Sequence, residues 1–225
     1  WATPQTNVGK ANGKGIDISL DYNKTLRNHI WIIGRANFTY ARTTFDYYEE
    51  PDYSAIPWRS RIGLPISQRW GYVAERLFID NVDVANAPRQ DFGECRAGDI
   101  KYKDINEDGV INEIDMVSIG YPVTPEVNYG FGLSTGYRNF DVSFFFQGSA
   151  RSSFWIDAEA MAPFIQTTTD GKIMETGLAK FIADDYWSEA SQNPFAKWPR
   201  LSTYEISNNT QRSSWFMQNG SFLRL

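Results

Sequence analysis

The 225-residue sequence has one cysteine, Cys95, and one histidine, His29. Those counts exclude an intramolecular disulfide, a cysteine-rich zinc site and a histidine-based catalytic triad within this segment. No apolar run approaches the roughly 18 residues that a transmembrane helix needs, but strands that cross a bilayer escape this test because their apolar residues alternate with polar ones. Positive charge is not in excess: 22 Lys and Arg stand against 27 Asp and Glu, a formal charge of −5. A nucleic-acid partner would need a basic stripe and a high pI, and is excluded. An initiator methionine and a signal peptide are lacking too. The chain opens on Trp1 and stops at "SFLRL" within a strand-like pattern, so it is expected to be a piece of a longer protein that carries its targeting information elsewhere.

What the sequence does carry is apolar and aromatic: 42% of residues are hydrophobic and 16% aromatic, enough to build a core. Many of them recur with a period of two. In "NYGFGLSTGYRNFDVSFFFQG", Tyr129, Phe131, Leu133, Thr135 and Tyr137 alternate with Asn128, Gly130, Gly132, Ser134 and Gly136. After Arg138-Asn139, Phe140, Val142, Phe144 and Phe146 alternate with Asp141, Ser143 and Gln147, with Phe145 out of phase. A second hairpin lies near the start. Ile16, Ile18, Leu20 and Tyr22 alternate with Asp17, Ser19, Asp21 and Asn23; "KTLRNH" turns the chain; and Ile30, Ile32, Gly34, Ala36, Phe38 and Tyr40 continue opposite Arg35, Asn37 and Thr39. This pattern predicts half-buried strands. Their length, roughly ten residues each, exceeds the usual five or six and matches the 9–11 that a tilted strand needs to span a bilayer.

The connections are lopsided. The predicted hairpins span about 14–41 and 127–148, a further strand begins about 221, and the segments between them, about 42–126 and 149–214, are long. Short turns at one end and long loops at the other are the pattern of an outer-membrane barrel. Tyr22, Trp31, Tyr40, Tyr129 and Tyr137, near strand ends, suit its interfacial aromatic girdles; the same residues also suit the core of a soluble sheet. The fold class is therefore all-β: a segment of a large antiparallel transmembrane β-barrel with long, partly structured extracellular loops. Within the loops, "RWGYVAERLFID" predicts a short strand and turn, "GDIKYKDIN" a strand leading into a loop, and "METGLAKFIADDYW" a helix, with Leu178, Phe181, Ile182 and Tyr186 on one side and Thr176 as N-cap.

The sharpest motif is "DINEDGVINEID". Counted from Asp104, oxygen ligands fall at the first, third and fifth places (Asp104, Asn106, Asp108), Gly109 makes the turn, Val110 offers its carbonyl, and Asp115 closes the loop at the twelfth. This is the spacing of an EF-hand loop, with Asp in place of the usual closing Glu, and its hard oxygen ligands suit a structural Ca²⁺. The bland alternative is an acidic Asx-turn loop that binds nothing. "GKANGKG", from Gly9, lacks phosphate-loop spacing and is expected to be a turn before the Ile16 strand. Glu49-Glu50 and Asp184-Asp185 read as solvated charge, and nothing in the sequence assembles an enzyme's catalytic set. Trp58, Trp70 and Tyr72 are loop aromatics suited to stacking on a sugar ring or a peptide side chain, or equally to the core of a folded loop.

The segments "NVGKANGKGIDISLDYN", "GLPISQRWGYVAERLF", "GDIKYKDINEDGVINEIDMVSIGYPVTPEVNYGFGLSTGYRNFDVSFFFQGS", "YWSEASQNPFAKWPRLS" and "SSWFMQNGSFLRL" occur in this order over nearly the whole chain. Together they resemble the SusC/RagA-type TonB-dependent outer-membrane transporters of Bacteroidetes. The resemblance implies a barrel of about 22 strands with an N-terminal plug. It also implies a SusD-like surface lipoprotein as lid, TonB engaged through parts of the protein outside this segment, and import of glycans or peptides across the outer membrane of a Gram-negative cell. The apolar faces of the strands would then meet outer-membrane lipid. The competing expectation is a soluble, calcium-stabilised extracellular β-sandwich that binds glycan.

Overall fold

The computed structural model describes residues 7–26, 29–169 and 172–225. Five antiparallel strands lie side by side in chain order: Gly9–Leu26, Ile30–Tyr48, Val127–Tyr137, Phe140–Ala150 and Phe222–Arg224. They form one wall, an up-and-down segment without closure. The first two strands have 18 and 19 residues, about 60 Å each at roughly 3.3 Å per residue. "GKANGKG", expected to be a turn, is instead the beginning of the first strand, with Lys10 opposite Tyr47, Gly13 opposite Thr43 and Gly15 opposite Ala41. The partner arm supplies β-branched and aromatic residues there, and this cross-strand pairing overrides the poor strand propensity of glycine. Because Tyr40 pairs with Val127, at the start of the third strand, residues 41–48 and their partners project past the wall as a two-stranded extension.

Register sorts the side chains into two faces. Leu20, Ala36, Phe131 and Phe146 form one row across four strands, and Tyr22, Gly34, Leu133 and Phe144 form the next on the same face. The Phe131 and Phe146 rings stack at 5.3 Å. The rows between them, on the other face, read Ser19, Asn37, Gly130, Gln147 and Asp21, Arg35, Gly132, Phe145. Here Thr39 donates to Asp17 at 3.1 Å, Arg35 lies 3.4 Å from Asp21, and the Ser134 and Ser143 hydroxyls are 2.7 Å apart. Phe145 thus sits on the polar face, and the glycines opposite explain how: a Cβ on Gly132 would lie 2.6 Å from its ring. Trp31, expected in an interfacial girdle, also falls on the polar face, in the row with Gly136 and Asp141. Its indole covers Gly136, where a Cβ would collide with the ring, so the bare glycine backbone is what seats it.

The wall contributes nothing to the buried apolar core. That core, with Tyr72, Leu77, Ile100, Tyr102, Ile111, Ile182, Trp187, Trp198 and Phe216 among its members, is built wholly from the two long connections. Short pairings organise it: Ala74–Leu77 with Ile100–Tyr102, Trp70–Gly71 with Val117–Ser118, and Ser153–Trp155 with Met217–Asn219. The predicted helix shrinks to Lys180–Asp184, with Ala179 at its N-cap and no side-chain cap. The Thr176 hydroxyl is spent elsewhere, donating to the Ala162 carbonyl at 2.6 Å and accepting from Ile165 N at 2.9 Å. Lys172–Glu175 pairs as a strand with Gln166–Thr169, which removes the residues the first helical turn needed. Of the predicted apolar stripe, Ile182 is buried while Leu178 and Phe181 are exposed.

Where the loops leave the wall, Glu126 is buried between Arg151, at 2.6 Å, and Arg42, at 3.4 Å. This carboxylate ties the second, third and fourth strands together at the loop end.

Candidate functional site

Two surfaces carry the polar chemistry of this chain: the polar face of the wall and the folded body of the loops. The polar face sets Trp31 and Phe145 among small and hydrophilic residues, while the opposite face leaves Ile16, Ile18, Leu20, Phe38, Phe140 and Val142 exposed, Phe140 at 82%. Among the described residues no second sheet covers that apolar face. A soluble sandwich would bury it.

The loop body is held by a network that spans the sequence. Asp99 is fully buried and accepts from Arg200 Nε at 2.8 Å, Asn209 Nδ2 at 2.9 Å and the Arg96 backbone at 2.8 Å. Gln90 accepts from Tyr102 N and donates to the Asn208 side chain, both at 2.6 Å, and Tyr102 Oη donates to the Asn208 carbonyl at 2.7 Å. Buried polar groups satisfied this fully fix one geometry. Residues about a hundred positions apart are thereby locked to each other.

The Asp104–Asp115 loop is closed by its own hydrogen bonds. Asp104 accepts from the backbone N–H of Glu107 and of Gly109, each at 2.8 Å; Asn106 Oδ1 accepts from Asp108 N at 3.2 Å, and Asp108 from Val110 N at 2.8 Å. Gly109 has φ +84°, the left-handed region that the tight turn requires. Val110–Ile111 pairs in parallel with Arg89–Gln90, and the buried Ile111 side chain anchors the loop to the core. Asp115 accepts from Ile105 N at 2.8 Å and Asn112 N at 2.9 Å, capping the short 3-10 turn Glu113–Asp115. Among the described residues no three carboxylate, imidazole or thiol groups converge as a metal cluster. Yet Asp115 is fully buried and has no cationic partner among the described residues, and a carboxylate so placed retains lone pairs for a hard cation.

The loop aromatics divide. Tyr72 is 3% exposed, packed against Phe92 at 4.8 Å and Tyr102 at 5.5 Å, and burial pushes its phenol up to about 12; its ring belongs to the core. Trp58 donates its indole N–H to the Ile114 carbonyl at 2.8 Å, bracing the Asp104–Asp115 loop. Trp70 is half-buried beneath the Arg59 guanidinium, 6.0 Å from its ring centre.

No protein-family model matches the chain. Among curated proteins it is similar to TonB-dependent receptor P26 of Formosa agariphila, 29% identical over 128 residues, which is 57% of this chain and 12% of that receptor. Among solved structures, the RagAB peptide transporter superposes with a TM-score of 0.63 at 15% identity, over 97% of this chain and 22% of the other. The RagAB peptide importer in its closed-closed and open-open states gives 0.61 and 0.60 at 16% identity, with the same coverage. The chain spans under a quarter of the length of each of these proteins.

Proposed function

We propose that this chain is a segment of a SusC/RagA-type TonB-dependent transporter, and that its parent protein is an outer-membrane importer in which these residues supply barrel wall and extracellular loops. The observation that carries the reading is the wall: its first four strands have 11 residues or more, and their register separates an apolar face from a polar one. An open edge has no place in hydrocarbon, so the first and fifth strands call for neighbours from the rest of the barrel. The apolar face meets lipid and the polar face meets the lumen or a plug. The substrate is an oligosaccharide or a peptide, a SusD-like surface lipoprotein docks on the loops, and energy comes from TonB through parts of the protein outside this segment.

Growth tests the reading. Deleting the gene of the full-length protein abolishes growth on one class of oligosaccharide or peptide and leaves growth on the corresponding monomers intact. A deletion strain that grows normally on every member of both classes overturns it. The loops act in capture because binding residues concentrate on loops held by a rigid scaffold.

Calcium at Asp104, Asn106, Asp108, the Val110 carbonyl and Asp115 has a structural role in this scheme: it would compensate the buried Asp115 charge and stiffen the loop that Trp58 braces. Millimolar calcium then protects the 104–115 segment of the full-length protein from proteolysis, and Asp108→Ala removes that protection without altering the wall. Equal cleavage with calcium and with chelator refutes the site.

A further inference from the structure

Arg69 and Arg212 lie 143 positions apart in sequence, yet both guanidinium groups rest on the ring of Trp155, their carbons 4.7 and 5.7 Å from its centre. Backbone pairing brings them there. Tyr72 N donates to the Arg212 carbonyl at 2.9 Å, Ser214 N donates to the Tyr72 carbonyl at 2.9 Å, and Gly71 lets the Arg212 backbone approach where a Cβ would clash. Trp155 is fixed by its indole N–H, which donates to the Ser213 carbonyl at 2.8 Å. Arg69 Nε is held by the Ser153 carbonyl. Two like charges are thus set against one indole ring, and among the described residues neither guanidinium has a carboxylate within ion-pair distance. Burial, and then the neighbouring Arg212 charge, push the Arg69 guanidinium below its ordinary value. Such an arrangement costs free energy unless something anionic completes it.

Both arginines and Trp155 line a pocket of about 430 Å³. That lies within the roughly 300–1,000 Å³ range of small-molecule sites. Asp157 and Glu159 line the same pocket; Asp157 is partly engaged, accepting from Ala160 N at 3.0 Å. Their charges disfavour a dianion such as phosphate. A single carboxylate on a neutral or zwitterionic body fits better: the planar group forks onto the guanidiniums, and the rest of the ligand faces the acids and the indole.

We propose that Arg69, Arg212 and Trp155 form a carboxylate-binding subsite of the importer's substrate path. The proposal rests on the importer reading above and adds a substrate class to it, ligands with a free carboxylate. A peptide terminus or acidic side chain and a uronic acid residue of a glycan share this chemistry.

The full-length transporter, purified in detergent, distinguishes the two sources by calorimetric titration with two pairs of probes. These are an alanine tripeptide against its C-terminal amide, and an otherwise neutral disaccharide bearing one glucuronic acid residue against its methyl ester. In one pair the free acid binds about tenfold or more tighter than its neutral counterpart, the scale set by a charge-assisted hydrogen bond. Arg212→Gln, at an exposed position, removes that preference for the free acid over its neutral counterpart; Arg69→Gln does the same if it assembles. Absence of any preference in both pairs overturns the subsite, as does a preference that survives Arg212→Gln or failure of both acids to bind. Growth on the substrate class is scored separately in the unsubstituted strain. Intact, gene-dependent import that ignores substrate charge therefore refutes the subsite and leaves the importer reading standing.

Discussion

At the scale of single residues, the wall depends on which glycines lie under rings. Gly136 carries the Trp31 indole on its bare backbone, whereas Gly34, on the apolar face, has only the Tyr22 Cβ at 3.8 Å near the place of its own missing Cβ. Gly136→Ala is expected to destabilise the assembled barrel by about 1–3 kcal/mol, the usual cost of overpacking, and Gly34→Ala to change it little. Heat-dependent electrophoretic mobility of the full-length protein measures both, and equal melting of the two variants contradicts the seating of Trp31. This is also where reading from sequence ran short. The alternation placed Phe144 and Phe146 on one face correctly, but an aromatic that breaks phase, such as Phe145, can be assigned only when the partner strand is known. Arg69 and Arg212 gave no local signal at all, because what makes them a pair is a backbone contact between distant segments.

At the scale of elements, the proposed barrel wall predicts that the two faces of the Val127–Ala150 hairpin tolerate different substitutions. Phe144→Arg or Leu133→Arg puts a charge on the apolar rows and is expected to cost roughly 2–4 kcal/mol and impair assembly, as Arg does near a bilayer midplane. Ser143→Arg, one residue away on the polar face, is expected to be far milder. The yield of folded protein in outer-membrane fractions measures the contrast; equal damage on both faces means a core buried on both sides. The strands were legible because a period of two persists over many residues. The helix around Phe181 was not, since its stripe was read without knowing that Lys172–Glu175 had a strand partner in Gln166–Thr169. Propensity yields to tertiary pairing in such short segments.

At the scale of the whole molecule, wall and loop body are stabilised by different means: the wall by its ladder and its surroundings, the loop body by an apolar core and partly buried ion pairs. Asp83 shows the second kind. Its hydrogen bonds to Arg76, at 2.9 Å to Nη2, hold its carboxyl well below the usual range, with the Ile79 backbone N–H and Lys101 adding to the effect. Since the folded value is depressed, this stabilisation is present above the ordinary carboxylate value near 4 and is lost as pH falls below it toward the folded value. Acidification from about pH 5 to pH 3 is expected to weaken the loop body by at most about 1 kcal/mol, and Asp83→Asn to remove that part of the pH dependence. Amide hydrogen exchange over residues 74–102, compared with the wall strands, measures it, and the same acid response in Asp83→Asn contradicts it. The core itself has a further consequence. Ile100 and Tyr102 come from one long connection and Trp198 and Phe216 from the other, so the two loops share one interior. Diversification of such a fold cannot proceed by exchanging one loop at a time, because a foreign loop would meet half of a mismatched interior; the two loops must be inherited, grafted or redesigned as a pair.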